Sequence, residues 1–271
     1  MSRRWFLASI WSCLLVLTFQ AAQSATASLE SIKTPRGATQ KFILLKPEKP
    51  VAAVILFAGG KGALRLKSAS KMGWGRNNFL VRSRATFAAH GLVVAVIDAP
   101  SDKRKRMNAI FRMSKAHADD ISAVAAYLKK QTGLPVWLIG TSMGTFSAAN
   151  GAIRAKNIHG LVLTSTVTRA RSRWKIASSH RNGVASMPLQ KVTAPTLIVS
   201  HKSDGCKITP AADAPKLQAR LTNAAKVEVV MLNGGKSPES EPCKAKSQHG
   251  FFGIEDQAVG AIAKFIKANL N

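Results

Sequence analysis

The chain has 271 residues, 46% of them hydrophobic and only 6% aromatic, which suits one aliphatic, alanine-rich core and excludes a disordered or fibrous class. Forty Lys and Arg against thirteen Asp and Glu give a formal charge of +27, a statement about partners and solubility rather than fold. With three cysteines and no C-x-x-C, zinc spacing is excluded.

Residues 1–27 read as an export signal: a basic start at Arg3 and Arg4, an apolar run from Phe6 to Phe19, and small residues at Ala25-Thr26-Ala27. Ser2-Arg3-Arg4-Trp5-Phe6-Leu7 resembles the twin-arginine signal, with Ala8 departing at its last position. The strongly apolar core suits the general secretory route equally well. Cys13 has the wrong prelude, Ile10-Trp11-Ser12, for a lipoprotein site. The expectation is a periplasmic or secreted protein, 28–271 forming a single domain; Arg3 and Arg4 leave with the signal, taking +27 to +25.

From Thr39 onward strand and helix patterns alternate. Lys41–Leu45 predicts an edge strand closed by Lys46-Pro47, and Val51–Phe57 is apolar throughout, as a strand buried on both faces should be. After Ala58-Gly59-Gly60 and a Lys-rich loop, a helix is expected from about Asn78 to His90, stopped by Gly91. Leu92–Ile97 is the next buried strand. Ser114 opens a helix to about Gln131, with Ile121, Val124, Ala125 and Leu128 on one face.

Next comes Val136-Trp137-Leu138-Ile139-Gly140-Thr141-Ser142-Met143-Gly144, a short β-rich run leading into G-x-S-x-G and then a small-residue helix pattern. That order is a nucleophile elbow: a strand, a turn too tight for bulky neighbours, and a helix whose N-terminus faces the serine. Beyond it lie the strand Gly160–Thr164, a basic insertion around 165–191, the strand Pro195–Ser200, a helix after Pro210, the strand Val227–Met231 and a last helix from Glu255 to Leu270. Continuous apolar strands in repeated strand–helix units predict an α/β fold, a mainly parallel sheet with helices on both faces.

A serine hydroxyl is a poor nucleophile unless a base takes its proton and a third group orients that base. After an elbow the acid and then the histidine follow in the chain. Asp204 lies just past the strand ending at Ser200, and His249 lies in a loop between the last strand and the last helix. His201 is the main rival base. Glu239 and Glu241 are rival acids nearer His249. Asp98 ends a strand before the elbow, out of order, and is expected to brace its loop; Asp119 and Asp120 are expected early in a helix, where its dipole favours them. His90, His117, His159 and His180 sit on or beside helices, strands or the insertion.

Taken together, Phe57-Ala58-Gly59-Gly60, the elbow, the Asp204 segment and His249-Gly250-Phe251 resemble the α/β-hydrolase superfamily in its compact secreted serine-hydrolase form, over residues 41–270. The resemblance implies cleavage of an ester or other acyl bond, with the N–H of Met143 and one from Gly59, Gly60 or Lys61 forming an oxyanion hole. Ala58-Gly59-Gly60 stands where the family's His-Gly motif is familiar. A peptidase or amidase on the same triad, or a non-catalytic envelope-binding protein, are the alternatives. No P-loop, dinucleotide fingerprint or metal-ligand cluster is present, so no cofactor or metal is expected.

Two further expectations concern the exported protein. Cys206 and Cys243 remain as an even pair once the signal is gone, which predicts a disulfide stapling the acid loop to the base loop. Lys61 to Arg84, Lys103 to Lys115 and Ser165 to Lys191 leave C-terminal strand ends, carry nineteen of the forty basic residues and hold no acid. They predict a positive rim that favours a small or lipid-like anionic acyl substrate, or an anionic envelope surface; no specific nucleic acid partner is expected.

Overall fold

The computed structural model describes residues 25–270. The expected export signal lies outside the described residues, save its last three, and so does Cys13.

In chain order the elements are β1 (Thr26–Lys33), β2 (Thr39–Lys46), β3 (Ala52–Phe57), α1 (Phe79–Arg82), α2 (Arg84–Ala89), β4 (Leu92–Ile97), α3 (Ala109–Arg112), α4 (Lys115–Thr132) and β5 (Val136–Thr141). They continue with α5 (Gly144–Arg154), β6 (Gly160–Thr164), β7 (Thr196–His201), α6 (Ala214–Gln218), β8 (Val227–Leu232) and α7 (Glu255–Lys267). All eight strands form one sheet in the order β1-β2-β4-β3-β5-β6-β7-β8. From β4 to β8 the neighbours are parallel, while β2 runs antiparallel to both β4 and β1.

The middle of the sheet is covered on both faces, and its strands β3 to β7 are buried at every position. Along β5, Leu138 enters one core layer with Ile121, Val124 and Leu128 of α4 and Phe146 of α5. Its neighbours Trp137 and Ile139 point the other way, to Phe79 of α1 and Val259, Ile262 and Ile266 of α7. Trp137 is fully buried and meets Phe265 edge-on at 5.8 Å. Truncating it to alanine should cost about 3–5 kcal/mol.

Capping sets α4 where the sequence places it. Ser114 Oγ accepts the His117 N–H at 3.2 Å, and Gly133, at φ +70°, closes the helix in the left-handed region. Asp119 and Asp120 fall in its second turn, so partners rather than the helix dipole hold them. Lys115 pairs with Asp119 at 2.7 Å, and Arg36 pairs with the buried Asp120 at 2.7 Å.

Three elements differ from expectation. β2 is not the edge: Thr34 and Ala38 close a turn that folds β1 back along it, so mostly exposed β1 takes the rim. The helix expected over 78–90 breaks at Ser83 (φ −90°, ψ 5°), because α1 must face β3 and β5 while α2 faces β4 and α7. The last helix stops at Lys267. Within the basic segment 165–191, Val167, Ile176, Val184, Met187 and Leu189 are buried in the α4–α5 core layer.

Candidate active site

At the end of β5 the backbone turns through Ser142, which sits at φ +52°, a conformation rare outside glycine. The turn closes only because its flanks lack side chains. A Cβ on Gly140 would lie 2.5 Å from the Gly144 carbonyl oxygen, and one on Gly144 would lie 2.0 Å from that of Phe57. Ser142 N–H donates to Thr164 O on β6, and α5 starts two residues on with its N-terminus beside the serine. Across the turn lies the loop after β3: a Cβ on Gly59 would meet Ser142 Cβ at 2.9 Å, so the Gly59 backbone packs against the serine itself.

His249 and Asp204 come together from the last two β-to-α loops. His249 Nδ1 donates to Asp204 Oδ2 at 3.0 Å, with the two side chains only 6% and 1% exposed. The other carboxylate oxygen accepts the Cys206 N–H at 2.9 Å. Thr209 Oγ1 lies 2.9 Å from Asp204 Oδ2 and 3.1 Å from His249 Nδ1. Its hydroxyl therefore brackets the contact and fixes the imidazole plane. With Nδ1 occupied, Nε2 is the nitrogen left for the cavity that Ser142 and His249 both line.

The loop carrying His249 is held from three sides. Ser165 Oγ donates to the His249 carbonyl at 2.8 Å. Arg82 donates to the carbonyls of Gly250 at 2.6 Å and Ala245 at 3.2 Å while paired with Glu255 at 2.8 Å. Cys243 is joined to Cys206, with a Cα–Cα distance of 4.6 Å, so the acid and base loops are covalently tied. Asp204, Cys206 and His249 offer three possible metal-ligand atoms close together, but the Cys206 sulfur is taken by that disulfide.

Three of the rival residues are engaged by other partners. His201 Nε2 contacts Gly234 O at 2.9 Å and its Nδ1 accepts the Ser203 N–H at 3.0 Å, so both ring nitrogens serve the loop. Glu239 pairs with Lys246 at 2.6 Å. Asp98 accepts the N–H groups of Leu64, Leu66 and Ala99 at 2.6, 2.9 and 2.7 Å, bracing the basic loop after β3.

The cavity above Ser142 measures about 1200 Å³. Trp74, Phe79, Met143, Trp174 and Ile208 give it apolar wall, and Gly59, Gly60 and Lys61 line it too, with Gly59 against the serine. Of the nineteen basic residues expected on the rim, Lys61, Arg76, Arg106, Arg171 and Arg173 reach it. Lys244 and Lys246 join them, facing Glu239 and Glu241. Others turn away: Arg82 is spent on the His249 loop, Arg169 pairs with Asp213 at 2.9 Å, and Arg112 is fully buried. The sequence reading gives Thr209 no role, and it expects Arg82 and Arg112 as rim cations rather than as groups that hold backbone carbonyls.

A family model, Hydrolase_4, described as serine aminopeptidase S33, matches residues 84–231, a span that holds Ser142 and Asp204 and stops short of His249. Among solved structures, the fold is similar to the Pyrococcus furiosus esterase Pf2001, at 13% identity and TM-score 0.62 over 91% of this chain and 94% of that one. It is also similar to dienelactone hydrolase from Anabaena variabilis ATCC 29413, at 15% identity and TM-score 0.59 over 92% and 100%. A third likeness is to Pyrococcus horikoshii acylaminoacyl peptidase, at 11% identity and TM-score 0.60 over 93% of this chain and 43% of that one. At these identities the likeness speaks for the fold. No curated protein matches the sequence.

Proposed function

The chain belongs to the serine aminopeptidase S33 family of α/β hydrolases, and we propose that it is an exported hydrolase cleaving a carboxylic ester through an acyl-enzyme. The observation that carries this reading is that Ser142 and His249 line one cavity while His249 is bonded to the buried Asp204. In the proposed mechanism Ser142 Oγ gives its proton to His249 Nε2 and bonds to the acyl carbon. The carbonyl π pair moves to oxygen, and the N–H of Met143 and one from the Gly59–Lys61 loop receive that charge. Collapse breaks the acyl–alkoxy bond, and the alcohol leaves with the proton held by His249. Water then repeats the sequence, its proton passing to His249 and its oxygen bonding to the acyl carbon, and Ser142 recovers its proton as the acid departs. Asp204 orients the imidazole and stabilises its charged form.

For the substrate, apolar walls beside seven cations suit a small or lipid-like acyl group carrying an anionic charge, and the same cations suit an anionic envelope surface. The Cys206–Cys243 bridge supports an oxidising compartment, periplasmic or extracellular. A peptidase or amidase on the same triad is the second reading. Glu241 at the cavity favours it, because a carboxylate is what an N-terminal ammonium would seek, whereas Glu239 there is already paired with Lys246.

The test uses the mature protein, a fluorophosphonate probe and a panel of aryl esters and aminoacyl anilides. We expect probe labelling at Ser142, ester turnover exceeding anilide turnover, and a loss on the order of a millionfold in kcat for Ser142→Ala. Full activity in Ser142→Ala would refute the assignment. Anilide preference would select the peptidase reading, and an unlabelled, inactive protein would leave a non-catalytic binding role.

A further inference from the structure

Arg112 ends the short helix α3 and is 0% exposed, yet none of the described carboxylates pairs with it. Burying an unpaired guanidinium is costly, and burial, helped by the nearby Arg106, pushes its pKa down to about 9, so it remains a cation at neutral pH. Its charge is answered only by neutral oxygens. Nε donates to Met107 O at 3.2 Å and Nη1 to Ser147 Oγ, on the elbow helix α5, at 2.9 Å. Nη2 donates to the carbonyls of Ala58 at 3.3 Å and Gly60 at 3.4 Å. The loop is shaped around this side chain: a Cβ on Gly62 would stand 2.1 Å from Nη2.

The two carbonyls belong to particular amides. Ala58 C=O and Gly59 N–H are one peptide unit, and Gly60 C=O and Lys61 N–H are another. In a trans peptide the two bonds point in opposite directions, and the described chain contains no cis bond. A guanidinium pulling both carbonyls inward turns both N–H bonds away from the core, on residues that line the Ser142 cavity. Neither N–H has a hydrogen-bond acceptor among the described residues. A cation on a carbonyl also polarises its amide and strengthens the opposite N–H as a donor.

We propose that Arg112 is a positioning residue for the oxyanion hole, aiming and polarising the N–H groups of Gly59 and Lys61 from beneath while its bond to Ser147 locks that loop to the elbow helix. The inference rests on Ser142 being the nucleophile, and it narrows the loop donors from three to two. Because Arg112 touches no reacting atom, its removal should weaken the transition state and leave ground-state binding alone.

The experiment compares parent, Arg112→Met and Arg112→Lys on a neutral aryl ester. It adds inhibition by a trifluoromethyl ketone, which forms a tetrahedral oxyanion on the serine, and by its methyl ketone counterpart, which does so poorly. Arg112→Lys keeps the charge and loses the fork, and it carries the test if Arg112→Met does not fold. Loss of one direct oxyanion donor typically lowers kcat about a hundredfold or more. For an indirect group we expect kcat to fall roughly ten- to a hundredfold with KM within about twofold, and trifluoromethyl ketone affinity to fall by the same factor while methyl ketone affinity holds. An unchanged kcat in a folded variant overturns the proposal, as does a kcat loss without a matching loss for the trifluoromethyl ketone. Fluorophosphonate labelling of Ser142 in the parent is read alongside. Its absence brings down the nucleophile assignment and the inference together, whereas labelling with unchanged kcat brings down the inference alone.

Discussion

Acid should destabilise this protein through one histidine outside the candidate triad. His117, in the first turn of α4, is fully buried between Phe57, at 6.2 Å edge-on, and Phe111, at 5.1 Å. Neither ring nitrogen has a hydrogen-bond partner among the described residues. Burial first, then Arg112 and Arg36, push its pKa down from 6.5 to about 3. The unfolded chain therefore takes up a proton that the folded chain refuses. The stability held by neutral His117 is complete above pH 6.5 and is lost progressively as pH falls toward 3. At about pH 4.5 the loss is about 3 kcal/mol, approaching about 5 kcal/mol at the acid end of that window. His117→Phe keeps an aromatic ring between the same two neighbours and removes the titration. Any packing penalty of the larger ring is independent of pH and cancels from the slope. Urea unfolding of parent and variant from about pH 7.5 to about pH 4.5, at constant ionic strength, reads the difference directly. Parallel stability curves would refute the reasoning, showing that the ring is hydrated or partnered in solution.

Reducing the Cys206–Cys243 bridge, or replacing both cysteines by serine, releases a link across a sequence separation of 37 and should cost about 4 kcal/mol in the chain-entropy model. The melting temperature should drop by roughly 8–15 °C; two thiols titrating in the unreduced, denatured protein would contradict the pairing. Substrate steering predicts that kcat/KM for a carboxylated ester exceeds that for its neutral analogue by roughly tenfold or more at low salt, the ratio falling as ionic strength rises. Equal, salt-independent values would leave the cavity cations with no role in substrate capture.

Much of the architecture is legible locally. β3, β4, β5 and β7 are buried on both faces, and each carries an uninterrupted run of at least three apolar residues that declares itself without knowledge of its neighbours. The elbow is legible from its motif, although only the demand at Gly140 is local, made by Gly144; the demand at Gly144 comes from Phe57 at the end of the neighbouring strand β3. Asp204 and His249 were placed by counting strands and loops, and the structure brings them to 3.0 Å.

Tertiary structure decided what depends on direction and on backbone partners. A lysine or arginine between strands reads the same whether it faces the cavity, as Arg106 does, or turns inward, as Arg112 at the end of α3 does. Charge carries no periodicity in an irregular segment, so the sequence could mark nineteen cations but not choose five. Arg82 and Arg112 act on carbonyl oxygens, which every residue possesses and no side-chain letter reveals. β1 was hidden for a different reason: its residues are largely exposed, and a strand held mainly by ladder hydrogen bonds to β2 needs little apolar patterning. Side-chain chemistry and local period are written along the chain, whereas the orientation of long polar side chains is set only when distant backbone closes around them.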